Sequence, residues 1–140
     1  MKKAIFLDRD DTVVVNKHYL SDPQQLEWMP QAVLGLKLLQ AKGFDLFLVT
    51  NQSGVGRGVM TIEQLHLVHD HLQVMMVQAQ LLPFKEIIYC PHHPVELCLC
   101  RKPEPGMLKT LLLKYEVDKT QSWMIGDRDV DALAGKSAGL

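Results

Sequence analysis

Short apolar runs alternate with longer amphipathic stretches along this chain. The runs at positions 4–7, 46–49, 87–89 and 123–125 have strand length and strand composition. A helix is predicted over about 31–42, where Pro30 suits the first turn and Gly43 the C-terminal cap. Thr61-Ile62-Glu63-Gln64 has capping-box spacing and opens a longer helix to about position 80, with Pro83 beyond it. Further helices are expected at about 105–115, behind Pro103 and Pro105, and at about 130–138, ending at Gly139. On the longest helix Met75, Met76 and the leucines around them read as core. His66, His69 and His71 do not all share one face and are expected at the surface. Strands alternating with helices predict an α/β fold with a Rossmann-like open parallel sheet. No repeat, low-complexity tract or linker interrupts 1–140, so one domain is expected.

Four polar clusters each follow a predicted strand, the third after a cysteine-bearing loop: Asp8 with Asp10, Thr50-Asn51, Arg101-Lys102 and Gly126-Asp127. Open parallel sheets bind ligands at the carboxyl ends of their strands, so the four converge on one site. In an extended chain Asp8 and Asp10 project the same way, with Arg9 turned aside. Carboxylates that close repel unless a cation or a shared proton relieves them, which implies a hard divalent ion, a phosphoryl substrate, or both. One carboxylate can attack phosphorus to give an aspartyl-phosphate; its neighbour can protonate the leaving oxygen and later deprotonate water. A pair of turn-forming aspartates is the plainer alternative. Thr50 and the glycine-rich run 54–58 can meet phosphate oxygens, although the Gly-Lys-Ser/Thr of a P-loop is absent. Lys102 would orient an aspartyl nucleophile and balance charge on the transferred phosphoryl group, unless Arg101-Lys102 is only a solvated basic pair. Asp127 facing Asp8 would complete an oxygen-rich Mg2+ site, whereas Asp129 reads as a helix N-terminal acid.

All three cysteines lie within positions 90–100. Cys90-x-His92 followed by Cys98-x-Cys100 offers four ligands of the softness that tetrahedral zinc takes. Four protein ligands leave no open position, so this Zn2+ is expected to be structural and to tie down the loop that delivers Arg101-Lys102. His93, pointing elsewhere, suits the site less well than His92.

Charge narrows the classes further. Fifteen basic and sixteen acidic side chains give a formal charge of −1, which argues against a generic nucleic-acid or membrane-surface binder. The apolar stretches are too short to span a bilayer, and Met1-Lys2-Lys3 leads into a strand rather than a signal peptide. A cytoplasmic protein with reduced cysteines is expected.

Taken in order, Asp8-x-Asp10, Thr50, Lys102 and Gly126-Asp127 resemble the four motifs of the haloacid dehalogenase superfamily of phosphatases. A closer likeness, to the branch of the heptose bisphosphate and histidinol phosphatases, rests on four stretches. These are Phe6-Leu7-Asp8-Arg9-Asp10, Thr50-Asn51-Gln52-Ser53-Gly54, Cys90-Pro91-His92-His93-Pro94 and Cys100-Arg101-Lys102-Pro103. The resemblance implies a haloacid dehalogenase-like sheet without a large cap domain, Mg2+, a structural Zn2+, and a small phosphorylated sugar as substrate. It implies Asp8 as nucleophile, Asp10 as acid/base and Lys102 as the motif lysine, with Mg2+ held by Asp8, Asp127 and the Asp10 carbonyl. Substrate contacts are implied for Thr50, Asn51, Gln52, Ser53, Arg101, Lys102 and Arg128, and for Asn16, Lys17, His18 and Tyr19. Gly56-Arg57-Gly58 and the run 103–108 favour the heptose substrate. The five-residue gap between His92 and Cys98 favours histidinol phosphate instead. A polynucleotide 3′-phosphatase, similar around Thr50-Asn51-Gln52, and a weakly active zinc-bound relative are the remaining readings.

Two departures from the family stand out. Asp11 occupies the place of a glycine, adding negative charge beside a phosphate site and, if φ is positive there, backbone strain. The family also continues beyond position 140 into a further strand and helix. An exposed sheet edge is therefore expected, on a monomer able to self-associate through it.

Overall fold

The computed structural model describes all residues, 1–140. Four strands, β1 (Ala4–Leu7), β2 (Asp45–Asn51), β3 (Glu86–Cys90) and β4 (Trp123–Ile125), pair in parallel in the order β3-β2-β1-β4. Helices α1 (Ala32–Ala41) and α2 (Ile62–Gln78) pack on one face, α3 (Gly106–Lys114) and α4 (Asp129–Ala138) on the other. Every predicted strand and helix is present. β2 and β3 run past their apolar stretches because Thr50↔Tyr89 and Asn51↔Cys90 continue the ladder. That extension carries Thr50 and Asn51 to the rim of the sheet.

β1 lies between two other strands and is buried on both faces, which explains its unbroken apolar run. Period-2 alternation sends Ala4 and Phe6 into the core beneath α3 and α4, and Ile5 and Leu7 into the core beneath α1 and α2. Phe6 stacks on Phe47 of β2 with ring centroids 5.1 Å apart. The helix starts follow the sequence signals. Thr61 and Gln64 exchange capping-box hydrogen bonds of 3.1 and 2.8 Å, and Gly139 closes α4 with φ 94°.

One expectation is overturned on α2. His69 is buried, 6% exposed, not a surface residue. It falls on the inward stripe with Leu65, Val68, Leu72 and Met76, a three-to-four-residue spacing that outranks its polarity. His66 is exposed and His71 half-buried.

No cap domain is inserted: β1 and α1 are joined by a segment whose only regular turn is the short 3-10 stretch Pro23–Gln25. β4 forms one edge of the sheet, and its Trp123 and Ile125 are 53% and 40% exposed. No helix is long and apolar enough to cross a membrane.

Candidate active site

The carboxyl ends of β1, β2 and β4 and the loop beyond β3 meet around Lys102. This lysine is 3% exposed, and its ammonium donates to Asp8 Oδ1 at 2.8 Å, Asp131 Oδ1 at 2.6 Å and the Val49 carbonyl at 2.8 Å. Three acceptors exhaust its three protons. Two anions against one buried cation leave a net negative centre. Burial pushes the Asp8 carboxyl up to about 6; the Lys102 charge and hydrogen bond oppose this, while Asp131 and Asp127 add to it.

Strand geometry ends at Leu7, and the chain turns sharply instead of extending through Asp10. The Arg9 carbonyl accepts from the N–H groups of Val13 and Val14 at 2.9 and 3.0 Å. Asp8 and Asp10 still line one inner cavity of about 140 Å3, with Asp11, Asn16, Asn51, Lys102, Asp127, Arg128, Val130 and Asp131. An outer cavity of about 320 Å3 shares Asp10, Asn16, Asn51 and Arg128 with it and adds His18, Tyr19, Gln52, Ser53, Gly54, Arg57 and Arg101. A larger hollow of about 510 Å3 lies between α3 and Met1, at the opposite end of the sheet. It gathers no cluster of acids or thiols, so the chemistry belongs to the smaller cleft.

Most residues expected at the site reach that cleft. Thr50 lines neither cavity: it is buried behind them, where its hydroxyl accepts from Gln52 at 2.8 Å. Asn51 lines both cavities but spends its amide on the Lys102 backbone, accepting from its N–H at 2.9 Å and donating to its carbonyl at 3.2 Å. It thus fixes the lysine as well as facing the cleft. Lys17 does not arrive: it pairs with Glu27 at 3.0 Å and lines neither cavity. One Arg101 nitrogen is buried without a partner.

Asp131 was not singled out for the site. It lies in the first turn of α4, four residues beyond Asp127, its carboxylate accepting from Lys102 on Oδ1 and from the Arg128 N–H on Oδ2 at 3.2 Å. Its signal in the sequence is Gly126, where a Cβ would collide with the Asp131 carboxylate. Arg57, which the sequence marks only as part of a run favouring the heptose substrate, lines the outer cavity. The guanidinium of Arg9, expected to point away, is instead buried and returns to Asp10.

Side chains of Asp8, Asp127 and Asp131 offer oxygens within 4.8 Å of one another. Acids this close, one of them held up by burial, fit a hard dication bound through few carboxylates. Cys90, His92, Cys98 and Cys100 likewise bring their donor atoms within 4.8 Å. The Cys90–Cys98 sulfur separation of 3.8 Å matches the tetrahedral edge of about 3.8 Å set by Zn–S bonds of about 2.3 Å, whereas the Cys90–Cys100 pair, at 2.9 Å, would have to open to reach it. Burial, with the Cys100 thiol alongside, pushes the Cys90 thiol up, and a soft cation would reverse that. His93 Nδ1 is taken by the Val95 N–H at 3.1 Å. Gly56 seals this loop against the run after β2, its N–H donating to the Pro91 carbonyl at 2.8 Å where a Cβ would strike the His93 backbone.

Comparison with known proteins agrees with this geometry. A family profile described as HAD-hydrolase-like matches residues 99–140. The D-glycero-beta-D-manno-heptose-1,7-bisphosphate 7-phosphatase of Pasteurella multocida is 38% identical over 144 residues, covering 99% of this chain and 78% of that protein. The corresponding alpha-heptose enzyme of Photorhabdus laumondii is 32% identical, with 99% and 79% covered. Among solved structures, a HAD-like phosphatase from Mesorhizobium loti superposes with a TM-score of 0.92 at 31% identity, covering 99% of this chain and 69% of that one. The D,D-heptose 1,7-bisphosphate phosphatase of B. bronchiseptica, complexed with magnesium and phosphate, gives 0.86 at 31% identity, with 98% and 76% covered. An RNA repair complex shares the fold alone, at 13% identity.

Proposed function

Since the chain belongs to the haloacid dehalogenase-like hydrolases, in the family of the heptose-1,7-bisphosphate 7-phosphatases, we propose that this phosphoric monoester hydrolase removes the 7-phosphate of D-glycero-D-manno-heptose 1,7-bisphosphate. The observation that carries the reading is the buried Asp8–Lys102–Asp131 centre, open to a cleft whose outer part is lined by Arg57, Arg101 and Arg128. A substrate with a phosphate at each end suits that division: one group at Asp8, the other among the arginines.

In this mechanism Lys102 holds Oδ1 of Asp8 and orients the carboxylate for attack on phosphorus. With an apparent value near 6, Asp8 is mostly ionised at neutral pH and so available as a nucleophile. Asp10, at the mouth between the two cavities, protonates the departing sugar oxygen. It then accepts a proton from the water that opens the aspartyl-phosphate, regenerating Asp8. Asp8, Asp127 and the Asp10 carbonyl are the groups to hold Mg2+, which when bound supplies positive charge at the phosphoryl oxygens. Asp131, which accepts from Lys102 on one oxygen and from the Arg128 N–H on the other, orients Lys102 and the start of α4. Cys90, His92, Cys98 and Cys100 would hold Zn2+ as a structural tie that sets Arg101 and Lys102. The loop's reduced cysteines suit a cytoplasmic enzyme.

Phosphate release from heptose 1,7-bisphosphate and from histidinol phosphate, measured side by side with Mg2+ and with Asp8→Asn as blank, tests the reading. At least a tenfold preference in kcat/KM for the bisphosphate is expected. A preference for histidinol phosphate would hand the site to the other substrate of the branch.

A further inference from the structure

Arg9 is 1% exposed, yet it carries a charge and five donors that burial obliges it to satisfy. Nε donates to Asp10 Oδ1 at 2.9 Å and one terminal nitrogen to Asp10 Oδ2 at 3.1 Å, a two-point grip on the carboxylate plane. The same terminal nitrogen reaches Gln52 Oε1 at 3.2 Å. Its other terminal nitrogen lies 3.1 Å from Nε2 of His69, which comes from α2 beneath the site. Arginine has no acceptor, so His69 must present a bare Nε2 and carry its proton on Nδ1. The neutral ring this requires agrees with burial, then the Arg9 and His66 charges, lowering its pKa to about 3.

We propose that His69 and Arg9 form a brace that positions Asp10 for proton transfer, with His69 fixing the guanidinium and the guanidinium fixing both carboxylate oxygens. The inference rests on Asp10 as the acid/base of the proposed reaction. Asp10 must meet a leaving oxygen at hydrogen-bond distance on one side and then a water, so freedom in its carboxylate plane costs rate at both steps. Gln52 restrains the same carboxylate more weakly, from 3.3 Å, and is itself anchored on Thr50. His69 touches neither Asp10 nor the cleft, and neither cavity of the site lists it among its walls. It acts through Arg9 and is a positioning residue. Tyr89 packs against its ring, with centroids 6.1 Å apart.

Leaving-group dependence separates this role from simple support of the fold. Phosphoryl transfer from a primary alkyl phosphate needs the proton from Asp10, whereas a nitrophenolate departs without it. The comparison uses kcat/KM for p-nitrophenyl phosphate against that for heptose bisphosphate or histidinol phosphate, both primary alkyl phosphates. His69→Leu removes the acceptor and His69→Asn falls short of the Nε2 position. Each is expected to lower the alkyl value about thirtyfold and the nitrophenyl value less than threefold. His69→Gln, whose Oε1 reaches the Nε2 position, is expected to restore the alkyl value to within about threefold of wild type. Equal losses on both substrates, or equal losses in all three variants, would overturn the brace. If His69→Leu does not fold, the contrast between Asn and Gln decides. Asp10→Asn separates the two layers: without leaving-group selectivity in that variant the acid reading itself fails. Selectivity there, with none in the His69 variants, overturns the brace alone.

Discussion

Positions 90–100 supply the whole thiol cluster, whereas the carboxylate cluster draws Asp8 from the end of β1 and Asp127 and Asp131 from beyond β4. The first is assembled by a loop, the second by the pairing of two strands that lie far apart in sequence. Their energetics run in opposite directions. Four soft donors around one point gain folding free energy when a metal ties them together. The carboxylate centre instead keeps an acid against the preference of its surroundings, with Asp8 raised to about 6 by burial. The thiol loop is a candidate for metal-linked stability, and the carboxylate centre for reactivity.

The strongest test of that division is Asp8→Asn. Turnover should fall at least a thousandfold, the scale seen when a nucleophile is removed. Zinc content and the circular dichroism spectrum should not change, because the substitution is isosteric and Asp8 is not one of the thiol loop's four donors. Substantial residual turnover would remove Asp8 from the nucleophile's place.

The opposite test is Cys98→Ser. Loss of one thiolate should lower bound zinc, measured by atomic absorption, and destabilise the fold by about 3 kcal/mol, near 10 °C in Tm for a chain of this size. Activity should fall less steeply than in Asp8→Asn, through slackening of Arg101 and Lys102. Full zinc with a wild-type Tm would mean that the four ligands are not Cys90, His92, Cys98 and Cys100.

The cost carried by the carboxylate centre has a pH signature. Asp8 titrates at 3.8 when unfolded and at about 6 when folded, so between those values the folded chain holds a proton that the unfolded chain has released. Its contribution is therefore greatest below about 4 and is lost as pH rises through about 6. In Mg2+-free buffer the stability of wild type relative to Asp8→Asn should fall by about 3 kcal/mol over that window, from the size of the shift. Denaturant melts at pH 4, 5, 6 and 7 measure it, and Mg2+ should flatten the difference. Parallel curves without Mg2+ would mean that the centre carries no such cost.

The same contrast explains what the sequence made legible. Strands and helices were readable because β1 is apolar on both faces and Thr61 and Gly139 mark helix ends. The thiol set was readable because all its members lie within one short loop. Asp131 was not, since its role depends on α4 turning it under Gly126 and onto a lysine from another element. Arg9 and His69 escaped for a related reason. Period-2 logic sent Arg9 away from Asp10, but strand geometry stops at Leu7 and the turn that follows brings the guanidinium back. A histidine on an inward helical stripe has no sequence mark telling it from an exposed one until its partner is known. Lys17 shows the converse, a residue placed in the site by resemblance whose charge is spent on Glu27.

Asp11 gives the smallest effect and the finest test of the same division, since it touches both reactivity and strain. Its φ is 60°, the left-handed region that favours glycine. The turn compensates: its N–H donates to the Val14 carbonyl at 2.7 Å, and its carboxylate accepts from the Asn16 N–H at 3.0 Å. Asp11→Gly relieves the left-handed strain but deletes that acceptor and frees the unfolded backbone, terms of about 1 kcal/mol each with opposing signs. With two terms against one, stability should fall by about 1 kcal/mol. Binding should change more visibly, because Asp11 is a carboxylate in the inner cavity where the phosphate is to lie. Removing that charge should lower KM about threefold at low salt, with kcat within twofold and the gain shrinking as salt rises. An unchanged KM with a lower Tm would make Asp11 a structural part of the turn, its negative charge already neutralised by the arrangement around Asn16.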